Sequence, residues 1–156
     1  MQFHIAAVGR FGGGRAHAAE RALFERFAER IAPPPLLVEV EEKRPLAAAE
    51  RRRREAELLL AALPPGAFVV ALDEKGRQMS SADLAERLGR LRDEGRRHVV
   101  FVIGGADGLD EAVRQAADLV LSLGPMTWPH LLVRGLIAEQ IFRAQSILAG
   151  HPYHRA

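Results

Sequence analysis

The residues of this chain best suited to chemistry stand together in its last stretch, His151-Pro152-Tyr153-His154-Arg155-Ala156. Two imidazoles, a phenol and a guanidinium make a donor-rich, titratable cluster. A terminus is ordinarily frayed and polar. This one follows a long apolar segment that reads as a helix, so the cluster is held at the end of a rigid element. That points to an active-site contribution. Imidazole is the side chain that exchanges protons near neutral pH. Of the six histidines, His4, His17, His98, His130, His151 and His154, His154, between Tyr153 and Arg155, is the candidate for chemistry. His98 opens a strand and reads as structural, and His130, after Pro129, as a residue that orients a loop.

Other patterns fall short of a motif. Gly9-Arg10-Phe11-Gly12-Gly13-Gly14-Arg15-Ala16 has the glycine spacing of a phosphate loop, but Arg15 and Ala16 stand where Lys and Ser/Thr are needed. The dinucleotide fingerprint fails as well, because His17 occupies the place of the third small residue. A mobile glycine loop is the better reading. There is no HExxH or Cys/His spacing, so no metal site is expected, and no Gly-x-Ser-x-Gly elbow.

The elements that must position these residues follow from apolar runs alternating with amphipathic segments. Strands are expected at 3–8, 36–40, 67–72, 98–103 and 118–123, and helices at about 15–31, 46–63, 81–94, 109–117 and 130–149. Ser80-Ser81-Ala82-Asp83 is a capping-box signature. Alternating strands and helices imply a parallel sheet covered by helices, α/β in class. Ligands bind beyond the carboxyl ends of such strands, which here carry Gly9, Leu72-Asp73, Gly104-Gly105 and Leu123-Gly124. With 156 residues and no linker or repeat, the chain reads as one domain, 1–156.

Composition narrows the function classes. There is no cysteine, which excludes disulfides and thiolate metal sites and is compatible with a reducing cytoplasm. No signal peptide is expected at the start, and no apolar run reaches the roughly 20 residues of a membrane span. The net charge is +2 and the basic residues are nearly all arginine, the lysines being Lys43 and Lys75. Arginine suits phosphate and base recognition, although a codon bias gives the same composition. Arg51 to Arg54, flanked by Glu50, Glu55 and Glu57, reads as a mixed solvated helix face. The last helix carries Leu131, Leu132, Val133, Leu136, Ile137, Ile141, Phe142, Ile147 and Leu148 on more than one face. It therefore needs cover on two sides, either from a subunit partner or from its own chain.

Four segments together resemble one family: Ile103-Gly104-Gly105-Ala106-Asp107-Gly108-Leu109, Leu121-Ser122-Leu123, Met126-Thr127-Trp128-Pro129-His130-Leu131-Leu132-Val133-Arg134 and His151-Pro152-Tyr153-His154-Arg155. With Leu72-Asp73-Glu74-Lys75-Gly76 and Met79-Ser80-Ser81, the chain is similar over its whole length to the RlmH family, bacterial rRNA pseudouridine methyltransferases of the SPOUT superfamily. The resemblance implies a deep trefoil knot in the C-terminal half and a homodimer. It also implies S-adenosylmethionine as cofactor, and methylation of the pseudouridine ring nitrogen N3 in large-subunit rRNA on the assembled ribosome. Its cofactor site would comprise Leu72, Gly105, Gly124, Pro125, Met126, Thr127, Trp128 and Pro129. Gly124 stands where many relatives have Ser, and the first loop is poor in Lys.

For that reaction the protein must align an imide nitrogen with the methyl, take or relay its proton, and stabilise the resulting anion. His154 is the candidate base or relay, with Glu139 as the alternative. Arg155 or Arg143 would stabilise the anion or hold a phosphate, and Tyr153 would stack or donate. A non-catalytic RNA- or ribosome-binding module of the same fold would bind RNA without the cofactor. A nucleotide-binding enzyme using the first loop would depend on Gly12 and Gly14.

Overall fold

The computed structural model describes residues 1–155; Ala156, the last residue of the tail, lies outside them. Five parallel strands, β1 (Gln2–Val8), β2 (Leu36–Val40), β3 (Phe68–Gln78), β4 (His98–Ile103) and β5 (Leu119–Ser122), form one sheet in the order β2-β1-β4-β3-β5. The helices are α1 (Ala18–Ala28), α2 (Ala48–Ala61), α3 (Ser81–Asp93), α4 (Glu111–Ala116) and α5 (His130–Leu148). The sheet class expected from the alternation is the one observed.

The central strands are apolar on both sides because both faces are covered. On one face Phe3, Ile5, Phe101 and Ile103 pack with Phe24 of α1, Leu84 and Leu88 of α3, and Ile137 and Ile141 of α5. On the other, Ala6, Val8, Val100 and Val102 pack with Ala56 and Leu59 of α2 and Val113 of α4. α5 runs between α1 and α3, so much of its apolar breadth is covered within the chain. Ser80 caps α3 as its sequence suggests: Asp83 N donates to Ser80 Oγ at 3.0 Å and Ser80 N to the Asp83 carboxylate at 3.2 Å.

Two elements differ from expectation by more than two residues. α1 occupies residues 18–28 rather than 15–31, because residues 15–17 and 29–31 form turns and bends at its ends. β3 does not stop at Leu72. Leu72 and Arg77 both face Leu121, so the four intervening residues leave the ladder and pairing resumes at Arg77 and Gln78. Gly76 makes this possible, because a Cβ there would lie 2.7 Å from Val120 O and 2.8 Å from the Leu121 carbonyl carbon.

At the amino end of the sheet, His4 Nε2 and His98 Nδ1 are 3.0 Å apart. Burial, then the neighbouring His98, pushes His4 below the ordinary 6.5. The unfolded chain therefore binds more protons in mild acid, so stability is present near neutrality and falls as pH drops below about 6.5. The urea midpoint should fall between pH 7 and pH 5, and His4→Leu should make that fall shallower. An unchanged pH slope in the variant would show that the pair carries no linkage.

Candidate active site

The carboxyl ends of the five parallel strands put their following loops on one edge of the sheet. Ser122, the last residue of β5, ties two of them together. Its Oγ donates to Glu74 O at 2.9 Å or Gly124 O at 3.1 Å and accepts from Gly124 N at 3.0 Å. One buried hydroxyl thus joins the β3 excursion to the start of the β5–α5 loop. Beside this junction opens a cleft of about 590 Å³. Its walls are the β5–α5 loop (Gly124, Trp128), the N-terminus of α3 (Ser80, Ser81), apolar side chains of α1 and α5 (Leu23, Phe27, Leu136), and the polar row Glu139, Gln140 and Arg143.

The tail reaches this row because α5 ends in a turn that reverses the chain. Gly150 adopts φ +69°, a conformation glycine takes without Cβ strain. His151 N bonds back to Ser146 O at 2.9 Å and Gly150 N to Ile147 O at 3.1 Å, the bond pattern of a glycine helix stop. Tyr153 then lies edge-on to Phe142, with ring centroids 4.7 Å apart. Its hydroxyl donates to Glu139 Oε1 at 2.9 Å. Arg143 Nε donates to the same oxygen at 3.0 Å, Gln140 Nε2 donates to Glu139 Oε2 at 2.8 Å, and Gln140 Oε1 accepts from Ser81 Oγ at 2.7 Å.

Arg143 also reaches His154 Nδ1 at 3.2 Å. A guanidinium can only donate, so in this arrangement His154 presents the Nδ1 lone pair and carries its proton on Nε2. Burial, then the Glu139 carboxylate, pushes the Tyr153 phenol above its ordinary 10, and the Glu139 hydrogen bond raises Arg143 further. Tyr153 and Arg143 are therefore fixed as donors at neutral pH. The two candidate proton acceptors, Glu139 and His154, share one guanidinium between them. Arg155 is exposed at the end of the described chain.

The residues expected to hold a cofactor are not all on one wall. Gly124 and Trp128 line the cleft. Pro125, Met126, Thr127 and Pro129 continue the same loop in solvent, with Met126 71% and Trp128 42% exposed. Core packing does not explain Trp128. Leu72 is half-buried in β3, paired with Leu121. Gly105 lies on the other side of the strand ends, against Val8 and α2.

Two residues that position the site lie in segments that carry the family resemblance, yet the sequence gives neither of them a role. One is Ser122. The other is Arg134 of α5, whose side chain is 0% exposed. Its guanidinium pairs with Glu39 Oε2 at 2.6 Å and donates to Val8 O at 2.9 Å and Gly9 O at 2.8 Å, 4.5 Å over the Phe11 ring. Glu39 Oε2 also accepts from Phe11 N at 2.8 Å. The first loop is thereby fastened to the helix that starts the site. Burial pushes the Arg134 guanidinium below its usual range and the Glu39 hydrogen bond opposes that shift. The arginine run of α2 is likewise more than a solvated face: Arg51 pairs with the Asp107 carboxylate and Arg52 approaches Asp107 O, both at 3.5 Å.

A family model described as predicted SPOUT methyltransferase matches residues 1–154. The chain is 57% identical over 156 residues to ribosomal RNA large subunit methyltransferase H of Rhodospirillum centenum, covering all of both chains. It is 60% identical over 155 residues to the protein of that name from Paramagnetospirillum magneticum, covering 99% of each. With that of Rhodospirillum rubrum it shares 58% over 156 residues, again the whole of both. The chain belongs to the SPOUT methyltransferase family, and within it to the group of ribosomal RNA large subunit methyltransferase H.

Proposed function

We propose that this protein methylates N3 of a pseudouridine in large-subunit rRNA, using S-adenosylmethionine, on the assembled ribosome in the cytoplasm. The relatives' names supply the RNA and the reaction class. The observation that carries the mechanism is the cleft that puts the β5–α5 loop beside the hydrogen-bonded set Glu139, Arg143, Tyr153 and His154. The whole chain is read as one methyltransferase domain, since one sheet takes strands from all of its length. The family's trefoil knot is assigned to the C-terminal half. The close crossing of Gly76 over Val120 and Leu121, clasped by Ser122, supports that assignment.

The residues present suit the cofactor. A β5–α5 loop of exposed apolar side chains, Met126 and Trp128, offers faces for a purine. Gly104 and Gly105 let the loop after β4 pack closely at the neighbouring strand end. When bound, S-adenosylmethionine supplies a methyl already activated on a sulfonium, so the protein has no electrophile to activate. Its own work is on the acceptor. The imide proton must leave as nitrogen attacks carbon. His154 or Glu139 receives it, which requires Arg143 to release that acceptor. Arg143 and Tyr153, both held as donors, stabilise the charge left on the flanking carbonyl oxygens. Arg155, exposed at the end of the described residues, supplies a cation for a nearby phosphate.

A homodimer belongs to this reading. Trp128 and Met126 are exposed, and the cleft wall carries Leu23, Phe27 and Leu136; such a surface fits an apolar partner face. No helix among the described residues is long and apolar enough to cross a membrane, and none of them form a group of three or more metal-ligand side chains.

The test is transfer of labelled methyl from S-adenosylmethionine to ribosomes lacking this modification, with free rRNA and fully modified ribosomes alongside. Transfer to the unmodified ribosomes alone is expected. Cofactor binding without transfer would move the substrate elsewhere, and RNA binding without cofactor binding would make the chain a non-catalytic module.

A further inference from the structure

β1 and β4 are neighbours whose chains leave in opposite directions. β1 continues to α1, which packs against α5 on one face, and β4 continues to α4, which packs with α2 on the other face. The carboxyl ends of two such strands part to leave a crevice, the general location of ligands in open parallel sheets. In this protein Glu55 lies at that place, beneath the loop that follows β4.

Glu55 projects from α2 among Ala56, Leu59 and Val8 and is 6% exposed. Its Oε1 is sealed from solvent and has no hydrogen-bond partner among the described residues. A buried carboxyl oxygen without a hydrogen-bond partner is a standing cost to the fold. Leucine or methionine would fill the same place without that cost. The glycine loop after β4 lies directly on it: a Cβ on Gly105 would be 2.9 Å from Val8 Cγ1 and 3.2 Å from Glu55 Oε2. The same face of α2 holds the far end of that loop through Arg51 and Arg52 on Asp107. So α2 grips the loop with two arginines and presents beneath it one unsatisfied acceptor.

We infer that Glu55 is a binding residue, the acceptor for an N–H or O–H donor of a nucleoside brought into the β1/β4 crevice at Gly105. Burial, then the nearby Asp107, pushes the carboxyl above the ordinary 4.5, with Arg51 opposing; a donor from the ligand restores the partner that the free protein lacks. The inference rests on the methyltransferase reading for the kind of nucleoside. Two sources share this chemistry, the adenosine of the cofactor and the target base, which as a pseudouridine carries an N1–H that uridine does not have.

A structural role and a binding role predict opposite signs for one measurement. If Glu55 held the fold together, its removal would lower the melting temperature of the free protein. On the present inference Glu55→Leu raises it, by roughly 2 to 8 °C, the range expected for relieving one buried unsatisfied polar group in a chain of this size. Glu55→Gln is the second variant, nearly isosteric and safe for folding. The binding arms are titration calorimetry with S-adenosylhomocysteine and methyl-transfer kinetics on unmodified ribosomes. A loss of tenfold or more in calorimetric affinity for Glu55→Leu assigns the donor to the cofactor. Unchanged affinity with a tenfold or greater fall in kcat/KM on ribosomes assigns it to the target base. A lowered melting temperature in Glu55→Leu, or affinity and kcat/KM both unchanged in both variants, overturns the inference. Should wild-type protein methylate no ribosome, the functional reading fails, and the melting and calorimetric arms still decide the role of Glu55.

Discussion

Arg134→Met should cost about 3–5 kcal/mol of folding stability, the penalty typical of breaking a buried ion pair from one side. That is a large part of the roughly 5–15 kcal/mol by which domains are stable. The mechanism is specific. The wild-type guanidinium is fully buried and satisfies three oxygens, the Glu39 carboxylate and the carbonyls of Val8 and Gly9. Methionine fills similar volume but leaves those acceptors without that donor. Glu39 keeps only its bond from Phe11 N. Adding Glu39→Gln should therefore recover part of the loss, because the uncompensated charge goes with it. Methyl transfer should fall too, since the helix turn that carries Arg134 begins at His130, where the β5–α5 loop ends. Urea unfolding of the single and double variants measures this; a single-variant loss under about 1 kcal/mol, within the range of an exposed pair, would sink the argument.

Removing Pro152 to Ala156 should have the opposite profile, a small effect on folding and a large one on rate. Glu139 and Arg143 remain paired one turn apart on α5 without the tail. What goes are two hydrogen bonds, Tyr153 to Glu139 and Arg143 to His154, the stacking of Arg143 on the Tyr153 ring and the ring contact with Phe142, partly exposed and together worth on the order of 2–3 kcal/mol. The chemistry loses Tyr153, His154 and Arg155 at once. Positioned proton transfer contributes typically about 10²–10⁴ in rate, so methyl transfer to ribosomes should drop by about that factor while S-adenosylhomocysteine affinity, read by calorimetry, stays within about threefold. Parallel loss of cofactor affinity would mean that the tail supports the fold of the site instead.

Much of the architecture is legible because its physics is local. The run His98–Ile103 could only be a strand buried on both faces, and its bounds match. Ser80 and Asp83 announce a helix start that forms as written. β3 hides its second half because Asp73-Glu74-Lys75-Gly76 has turn composition. Nothing local reveals that Arg77 will rejoin the ladder opposite Leu121, a decision made by a segment more than forty residues away. The site divides along the same line. Residue types at the tail and the glycine loop are visible in the chain, and the structure brings Glu139, Arg143, Tyr153 and His154 within hydrogen-bond reach of one another. Arg134 and Ser122 are invisible as positioning residues. An arginine in a helix and a serine near a strand end are ordinary until burial removes their water and leaves particular backbone oxygens as their partners.

The strand order also sets a timetable for synthesis. β1 is an interior strand, and its inner neighbour is the central strand β4, paired from Gln2 against His98. With chain growth at about 5–20 residues per second, the first apolar strand leaves the ribosome roughly 5–20 seconds before that neighbour exists. For that interval it has only β2 beside it, with its other edge unpaired. The amino-terminal third therefore has no folded state of its own to wait in. An elongation pause before residue 98 should lengthen its exposure to chaperones and proteases, and a pause after residue 103 should shorten the risk. A nascent-chain proteolysis series stalled at successive lengths would show protection of β1 arriving in one step, only once β4 has cleared the exit tunnel.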